Sequence, residues 1–315
     1  MGSPSGTYLV HLVWAPLGPQ LLGRFVDAYR RNDPGVPHTL LILLNGFQAD
    51  DDLGPWRREL AGVEHEELRL PDPVLDLEAY RDAALRVQAE RYCFVNSYSE
   101  PLVGGWVAKL DGALSLPGVG LAGATGSWAS TRSLKFHLLH LPSAYRGVLP
   151  EPRIAAEQFM ALQSEVSGVQ PPSSRLARLR SRIDTLYEIP ERILPFDAFP
   201  AYHVRTNAFM ITHETLFELS PRAVSDKQDA YKLENGRRSI TRQLQRKARR
   251  TVVVDRDGVV YDHDRWHLSR TFWQSDQEGL LVADNQTSCY AEADATRRRL
   301  LSGFAWGPEA DPHPP

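Results

Sequence analysis

Tyr92-Cys93-Phe94-Val95 is an apolar run that breaks at once into Asn96-Ser97-Tyr98-Ser99-Glu100. An open α/β sheet presents ligands at the carboxyl ends of its parallel strands, so polar side chains at such a break are the first candidates for chemistry. Other groups of the right type lie far along the chain. Glu234, and Asp229 upstream of it, could act as a general base. Arg237 and Arg238 follow Glu234 and could clamp a phosphate bidentately, or form a solvated basic face. Asp262-His263-Asp264-Arg265-Trp266-His267 has metal-ligating residue types, yet His263 and His267 lack the carboxylate pattern of a zinc helix, and a polar loop accounts for them. Trp128, Trp266 and Trp273 have polar neighbours; such rings can stack on a sugar or simply pack a core.

These groups need a scaffold to bring them together. Tyr8–Trp14 reads as a strand, Ala15-Pro16-Leu17-Gly18-Pro19 as a turn, Gln20–Arg31 as an amphipathic helix, and Thr39–Leu44 as a second strand ending at Asn45-Gly46. Such a β-loop-α-β unit opens a parallel sheet. A short strand over Glu67–Leu70 leads to a helix over Glu78–Glu90. The strand Arg91–Val95, a helix over Gly105–Leu114 and a small-residue strand over Val119–Ala124 follow. Beyond Thr131 the pattern changes to helices over Leu134–Leu141, Ile154–Glu165 and Arg175–Ile183, the last basic and readable as a solvated face or as a partner or membrane surface. Strand character returns over His203–Ile211 and Thr251–Val254, with helices over Thr215–Leu219 and Glu234–Arg246 between them. Leu280–Thr287 reads either as a C-terminal lid or as a last helix with a capping turn.

The fold expected is therefore α/β. It has a disordered leader over 1–6, a first half over 7–130, a helical elaboration over 131–200, a second half over 201–306 and a flexible tail over 307–315. The 315 residues, 42% hydrophobic and 24% charged, suit a globular chain with a substantial core. A net charge of −3 argues against nucleic acid as a partner. Cys93 and Cys289 make neither a metal pattern nor a disulfide framework, which fits a reducing cytoplasm. No stretch reaches the roughly 20 apolar residues of a membrane span.

The order and spacing of these elements resemble a GT-A glycosyltransferase, the nucleotide-diphospho-sugar transferase fold, and most closely its inverting group that includes cellulose and chitin synthases and many bacterial sugar transferases. The resemblance covers about 7–130 and 200–262. It implies a mostly parallel central sheet flanked by helices, a nucleotide-sugar donor, and a glycan, lipid-linked or small-molecule acceptor, in polysaccharide biosynthesis. By the same resemblance Ala15 and Leu17 meet the nucleotide base, Asn45 lies near base and ribose, and Asp76 with Tyr80 contacts the base. Asn96 and Tyr98 occupy the place of the family's metal-binding Asp-x-Asp. Thr206–Ile211 resembles the strand before the acceptor site, with Asn207, Trp128 and Trp266 as acceptor contacts. Glu234-Asn235 stands where the family has Glu-Asp at a helix N-terminus. The missing carboxylates are a departure. Mg2+ or Mn2+ is then held weakly, with Glu100, His263 and His267 as candidate ligands, or Arg237 and Arg238 meet the diphosphate instead and the enzyme is metal-independent. Two other readings remain open: a nucleotidyltransferase on the same sheet, against which the absence of a basic phosphate loop after the first strand counts, and a carbohydrate-binding protein without catalysis.

Overall fold

The computed structural model describes residues 6–130, 132, 194–220 and 232–310. The helices expected over Leu134–Leu141, Ile154–Glu165 and Arg175–Ile183, and the candidate base Asp229, lie outside them.

The first half runs β1 (Thr7–Trp14), a 3-10 turn (Ala15–Leu17), α1 (Pro19–Arg31), β2 (Thr39–Asn45), α2 (Gly54–Glu59), β3 (Glu66–Arg69), α3 (Asp76–Arg86), β4 (Arg91–Val95), β5 (Glu100–Pro101), α4 (Trp106–Leu114), β6 (Val119–Gly123) and β7 (Gly126–Ser127). The second half adds β8 (His203–Val204), β9 (Ala208–Thr212), α5 (His213–Glu218), α6 (Ile240–Arg246), β10 (Arg250–Val254), β11 (Val260–Asp262), β12 (Val282–Ala283), α7 (Asn285–Ala291) and α8 (Ala295–Trp306).

The main sheet has 8 strands in the order β11-β10-β6-β9-β4-β1-β2-β3. β1 pairs in parallel with β2 and β4, β2 with β3, and β6 with β10. β9 is antiparallel to both of its neighbours, with Val95 opposite Ala208 and Gly123 opposite Phe209. This is the expected α/β class, a mostly parallel sheet flanked by helices. Alternation along β1 sends Leu9 and Val13 to one face, against Phe25 of α1 and Trp106 of α4. It sends Val10 and Leu12 to the other, against Ala79, Tyr80 and Ala83 of α3. Both faces are covered, which is why the strands read as unbroken apolar runs.

The reversal of β9 matters for the site. Because it runs against β4 and β6, the residues just before it stand at their carboxyl ends. The expected single strand over His203–Ile211 is in fact two. β8 pairs with β7, a turn follows, and β9 then enters the main sheet. The helix expected over Glu234–Arg246 is also broken. Residues 232–235 form one helical turn, Gly236 bridges to Phe196, and a new helix starts at Ile240. Two residues cause the break. A Cβ at Gly236 would stand 2.4 Å from the Lys232 carbonyl oxygen, and the Ser239 hydroxyl accepts the Arg242 N–H as an N-cap.

Candidate functional site

The β4 exit is built by Asn96. Its N–H donates to the Asn207 carbonyl at 3.1 Å. Its side-chain oxygen accepts the Tyr98 N–H at 3.0 Å and faces the Ser99 hydroxyl at 2.9 Å. The Ser97 hydroxyl donates to the Leu12 carbonyl and accepts the Trp14 N–H. Asn96 therefore works as a turn residue, fastening β4 to the turn before β9, and the side chain left facing outward is the half-buried Tyr98.

Asn45 does a similar task at the β2 exit. It is buried, and its amide grips the Val74 backbone from both ends: Nδ2 donates to the carbonyl at 2.6 Å and Oδ1 accepts the N–H at 3.0 Å. This pins the loop that begins α3 and sets Asp76 at the first turn of that helix. Asp76 is half-buried, and burial raises its carboxyl to about 6, although its own backbone N–H opposes the shift. Tyr80 follows one turn later. Helical side chains lean towards the N-terminus, so its hydroxyl points back to the Asp76 end of α3, the carboxyl edge of the sheet. The ring stacks on Phe94 at 4.5 Å and meets Phe209 edge-on at 5.9 Å. The hydroxyl is buried with no hydrogen-bond partner. Burial pushes this phenol well up, and the charges of Asp76 and Glu234 add to the shift. Tyr98 is raised by burial and then by Asp76. Tyr80 is thus within electrostatic reach of Asp76 and of Glu234, and Tyr98 of Asp76, at one end of the sheet.

Glu234 sits in the turn 232–235, half-buried, and accepts a hydrogen bond from the Thr206 hydroxyl at 3.1 Å. It lines a cavity of about 10 Å3, room for one water, together with Arg205, Thr206, Phe209 and Thr241. The side-chain oxygen of the next residue, Asn235, is buried without a partner.

Sequence reading passed over Arg205, Thr125 and Asp284. Arg205 pairs with Asp284 at 2.6 Å and lies over the Phe272 ring at 4.1 Å. The Thr125 hydroxyl donates to the Asn207 side-chain oxygen at 2.6 Å, and the Asn207 amide nitrogen donates to the Val282 carbonyl at 3.3 Å. Asp284 is the N-cap of α7 in a capping box with Thr287. The last helix expected over Leu280–Thr287 is not observed: Val282–Ala283 is the strand β12, paired with β5, Asp284 caps α7, and α8 follows it. The signal for Asp284 was in the sequence as Asp-x-x-Thr; nothing there linked it to Arg205.

The remaining candidates stand elsewhere. Ala15 and Leu17 occupy the half-exposed turn after β1. Arg237 and Arg238 are exposed, and Arg237 is paired with Asp197 at 3.2 Å. Asn207 is buried inside the network just described. Trp128 donates to the His263 carbonyl and packs edge-on against Tyr202, His267 and Trp306. Trp266 is fully buried, with its indole N–H on the Tyr261 carbonyl. Trp273 is buried beside Phe272, its indole on the Gln286 carbonyl. The three rings pack the core.

The ligand set for Mg2+ or Mn2+ does not fit. Asn96 spends its oxygen on its own turn, Glu100 pairs with Arg24 at 2.5 Å, and the His263 and His267 rings pack against Tyr202 and Trp128. Among the described residues no three His, Cys, Asp or Glu side chains gather as a metal site.

No family model matches the chain, and no curated protein matches it. Solved structures similar to it include the mannosyltransferase PcManGT from Pyrobaculum calidifontis in complex with GDP-Man and Mn2+, at 13% identity and TM-score 0.31, covering 38% of this chain and 35% of that one. Another is glucosyl-3-phosphoglycerate synthase from Mycobacterium tuberculosis with Mn2+, UDP and glucosyl-3-phosphoglycerate, at 14% identity and TM-score 0.33, covering 67% and 57%. A third is CMP:2-keto-3-deoxy-manno-octonic acid synthetase complexed with CTP, at 11% identity and TM-score 0.37, covering 73% and 85%. The chain thus spans between about a third and three fifths of the length of the first two. Among the described residues no helix is long and apolar enough to cross a membrane.

Proposed function

We propose that the chain is a glycosyltransferase that moves a sugar from a nucleotide-diphosphate donor to an acceptor hydroxyl, with inversion and without a metal held by an Asp-x-Asp. The observation that carries this reading is the buried Tyr80 hydroxyl at the carboxyl edge of the sheet, one helical turn from Asp76 and within electrostatic reach of Glu234. Tyr80 contributes a buried hydroxyl with no partner in the protein. Such a group costs free energy unless a ligand completes it.

In this reading Asp76, Tyr80 and Tyr98 hold the donor. Glu234, oriented by Thr206, takes the proton of the acceptor hydroxyl as its oxygen attacks the anomeric carbon. The bond from that carbon to the diphosphate breaks on the opposite side. The charge that develops there falls to arginine. Arg205 shares the cavity with Glu234, whereas Arg237 and Arg238 stand exposed before α6.

Thermal melting with UDP-, GDP- and TDP-sugars, with and without Mn2+, tests this. A ligand bound only by the folded state at a hundred times its Kd adds about 2.7 kcal/mol. No shift with any nucleotide at millimolar concentration defeats the donor site, and a shift that requires Mn2+ defeats metal independence. With a donor identified, Glu234→Gln should abolish turnover and leave donor binding intact; a variant that turns over normally removes Glu234 as the base.

A further inference from the structure

The charge of this chain is unevenly distributed. Eight of its 36 basic residues and one of its 39 acidic residues fall within 232–250, so that stretch carries +7 and the remainder −10. The fold gathers these cations around α6. Ile240 and Leu244 turn inward, Leu244 being fully buried, while Arg242 and Arg246 lie one turn apart on the outer side. An open groove lined by Asp197, Ala198, Arg242, Gln245 and Arg246 runs along that side. Arg237, Arg238, Arg246, Lys247 and Arg250 are all exposed.

The acids that face this surface do not neutralise it. Asp197 is shared between Arg237 at 3.2 Å and Arg242 at 2.9 Å. Glu218 serves Arg249 at 3.1 Å and Lys247 at 4.0 Å, and Asp262 serves Arg250 at 2.8 Å. Among the described residues three carboxylates thus answer seven cations over 237–250. Beside the patch stands Leu194, 43% exposed. It adjoins Pro195, whose carbonyl accepts the Arg237 N–H at 2.7 Å.

We propose that this basic face docks the protein on an anionic lipid membrane, with Leu194 entering the interfacial layer. Charge complementarity selects the partner: a plane of anionic headgroups attracts a cluster of cations presented on one side of an otherwise acidic body. The same field orients the molecule, since the acidic remainder is repelled. Leu194 favours a lipid surface over a soluble anion, because only the former rewards an exposed apolar side chain beside the charges. The inference stands apart from the sugar-transfer reading and survives its failure.

Sedimentation of the full chain with vesicles tests it. Binding is expected to vesicles containing about a third phosphatidylglycerol, not to pure phosphatidylcholine, and to fall steeply with added salt. Arg238→Ala with Arg246→Ala should weaken partitioning about thirty-fold. Leu194→Ser should weaken it further while leaving the salt dependence in place. All three side chains are exposed, so melting curves should match the parent; should the double variant melt early, Arg238→Gln with Arg246→Gln takes its place. Equal binding to both vesicle types, or a charge variant that partitions like the parent, overturns the proposal. So does retention of duplex DNA by a protein that ignores the vesicles, which would make nucleic acid the partner.

Discussion

Arg205 and Asp284 form an ion pair 79 residues apart in sequence, at 2.6 Å, with side chains only 11% and 1% exposed. It ties the turn before β9 to the N-cap of α7, and so fixes the C-terminal segment to the carboxyl edge of the sheet. Removing either partner strands a charge out of water. Arg205→Ala should therefore lower stability by about 3–5 kcal/mol. Asp284→Ala should cost more, since it also removes a helix cap that typically contributes about 1 kcal/mol. Arg205→Met combined with Asp284→Leu leaves no orphaned charge and should recover most of the loss apart from the cap. Urea midpoints of the four proteins would check this. A single substitution that shifts the midpoint by less than the double one would show that the pair has little to do with holding α7.

Tyr80 separates stability from binding. Its hydroxyl is buried without a partner between two aromatic rings. Tyr80→Phe keeps both ring contacts and removes an unsatisfied polar group, so the unliganded protein should gain about 1 kcal/mol. If the hydroxyl awaits a ligand, nucleotide affinity should drop by about five- to ten-fold in the same variant. Calorimetric unfolding and nucleotide titration read the two effects independently. Loss of stability would mean that the hydroxyl is satisfied in the free protein.

Much of this architecture was legible in the sequence because both faces of the sheet are covered. Leu40–Leu44 and Tyr92–Val95 are unbroken apolar runs with polar exits, and those exits are where several of the candidate groups lie. What remained hidden were contacts between distant parts of the chain. Asn45 has the residue type of a ligand-binding group, yet spends its side-chain amide on the Val74 backbone 29 residues away, while the backbone N–H of Asn96 meets the distant Asn207 carbonyl. The polar sequence neighbours of Trp266 and Trp128 left open whether these rings meet an acceptor or pack a core. Trp128 is buried against the end of α8, its ring edge-on to the fully buried Trp306, and Trp266 packs edge-on to Tyr202. The buried residues of α8 are the consecutive 301–306 at its C-terminal end, with Arg297, Arg298 and Arg299 in its first turns, so it carries no amphipathic stripe that the sequence could reveal.

His11 places a polar ring in the middle of β1. It stacks on Phe25 at 3.8 Å, and neither ring nitrogen has a partner. Burial pushes its pKa down from 6.5 to about 3. The unfolded chain takes up a proton near pH 6.5 that the folded chain refuses until about pH 3. Stability is therefore unaffected above 6.5 and falls as the pH drops through that window, by on the order of 4–5 kcal/mol in all. His203, lowered by burial to about 4, works in the same direction. His11→Leu should move the acid-unfolding midpoint to lower pH while leaving part of the slope, which His203 supplies. Tryptophan fluorescence across an acid titration would follow it. An unmoved midpoint would mean that His11 is already protonated or hydrated in the fold.

Asp76 has the opposite linkage. Its carboxyl rises from 3.8 to about 6 on folding, because it is desolvated at the start of α3. The folded state thus holds its proton longer than the unfolded chain does. The stabilisation this gives is complete below 3.8 and lost as the pH rises through about 6. Asp76→Asn cannot ionise, so its melting temperature should change less than the parent's between those limits. Ligand binding should respond in the other direction. An ionised Asp76 that accepts an N–H from a nucleobase is worth more than its protonated form. Nucleotide affinity in the parent should then increase as the pH passes upward through about 6, and Asp76→Asn should lose about ten- to a hundred-fold at neutral pH, with a flat profile. Nucleotide titrations of both proteins on either side of that pH decide the matter. A parent profile as flat as the variant's would place Asp76 outside the nucleotide contact and leave Tyr80 and Tyr98 to hold the donor alone.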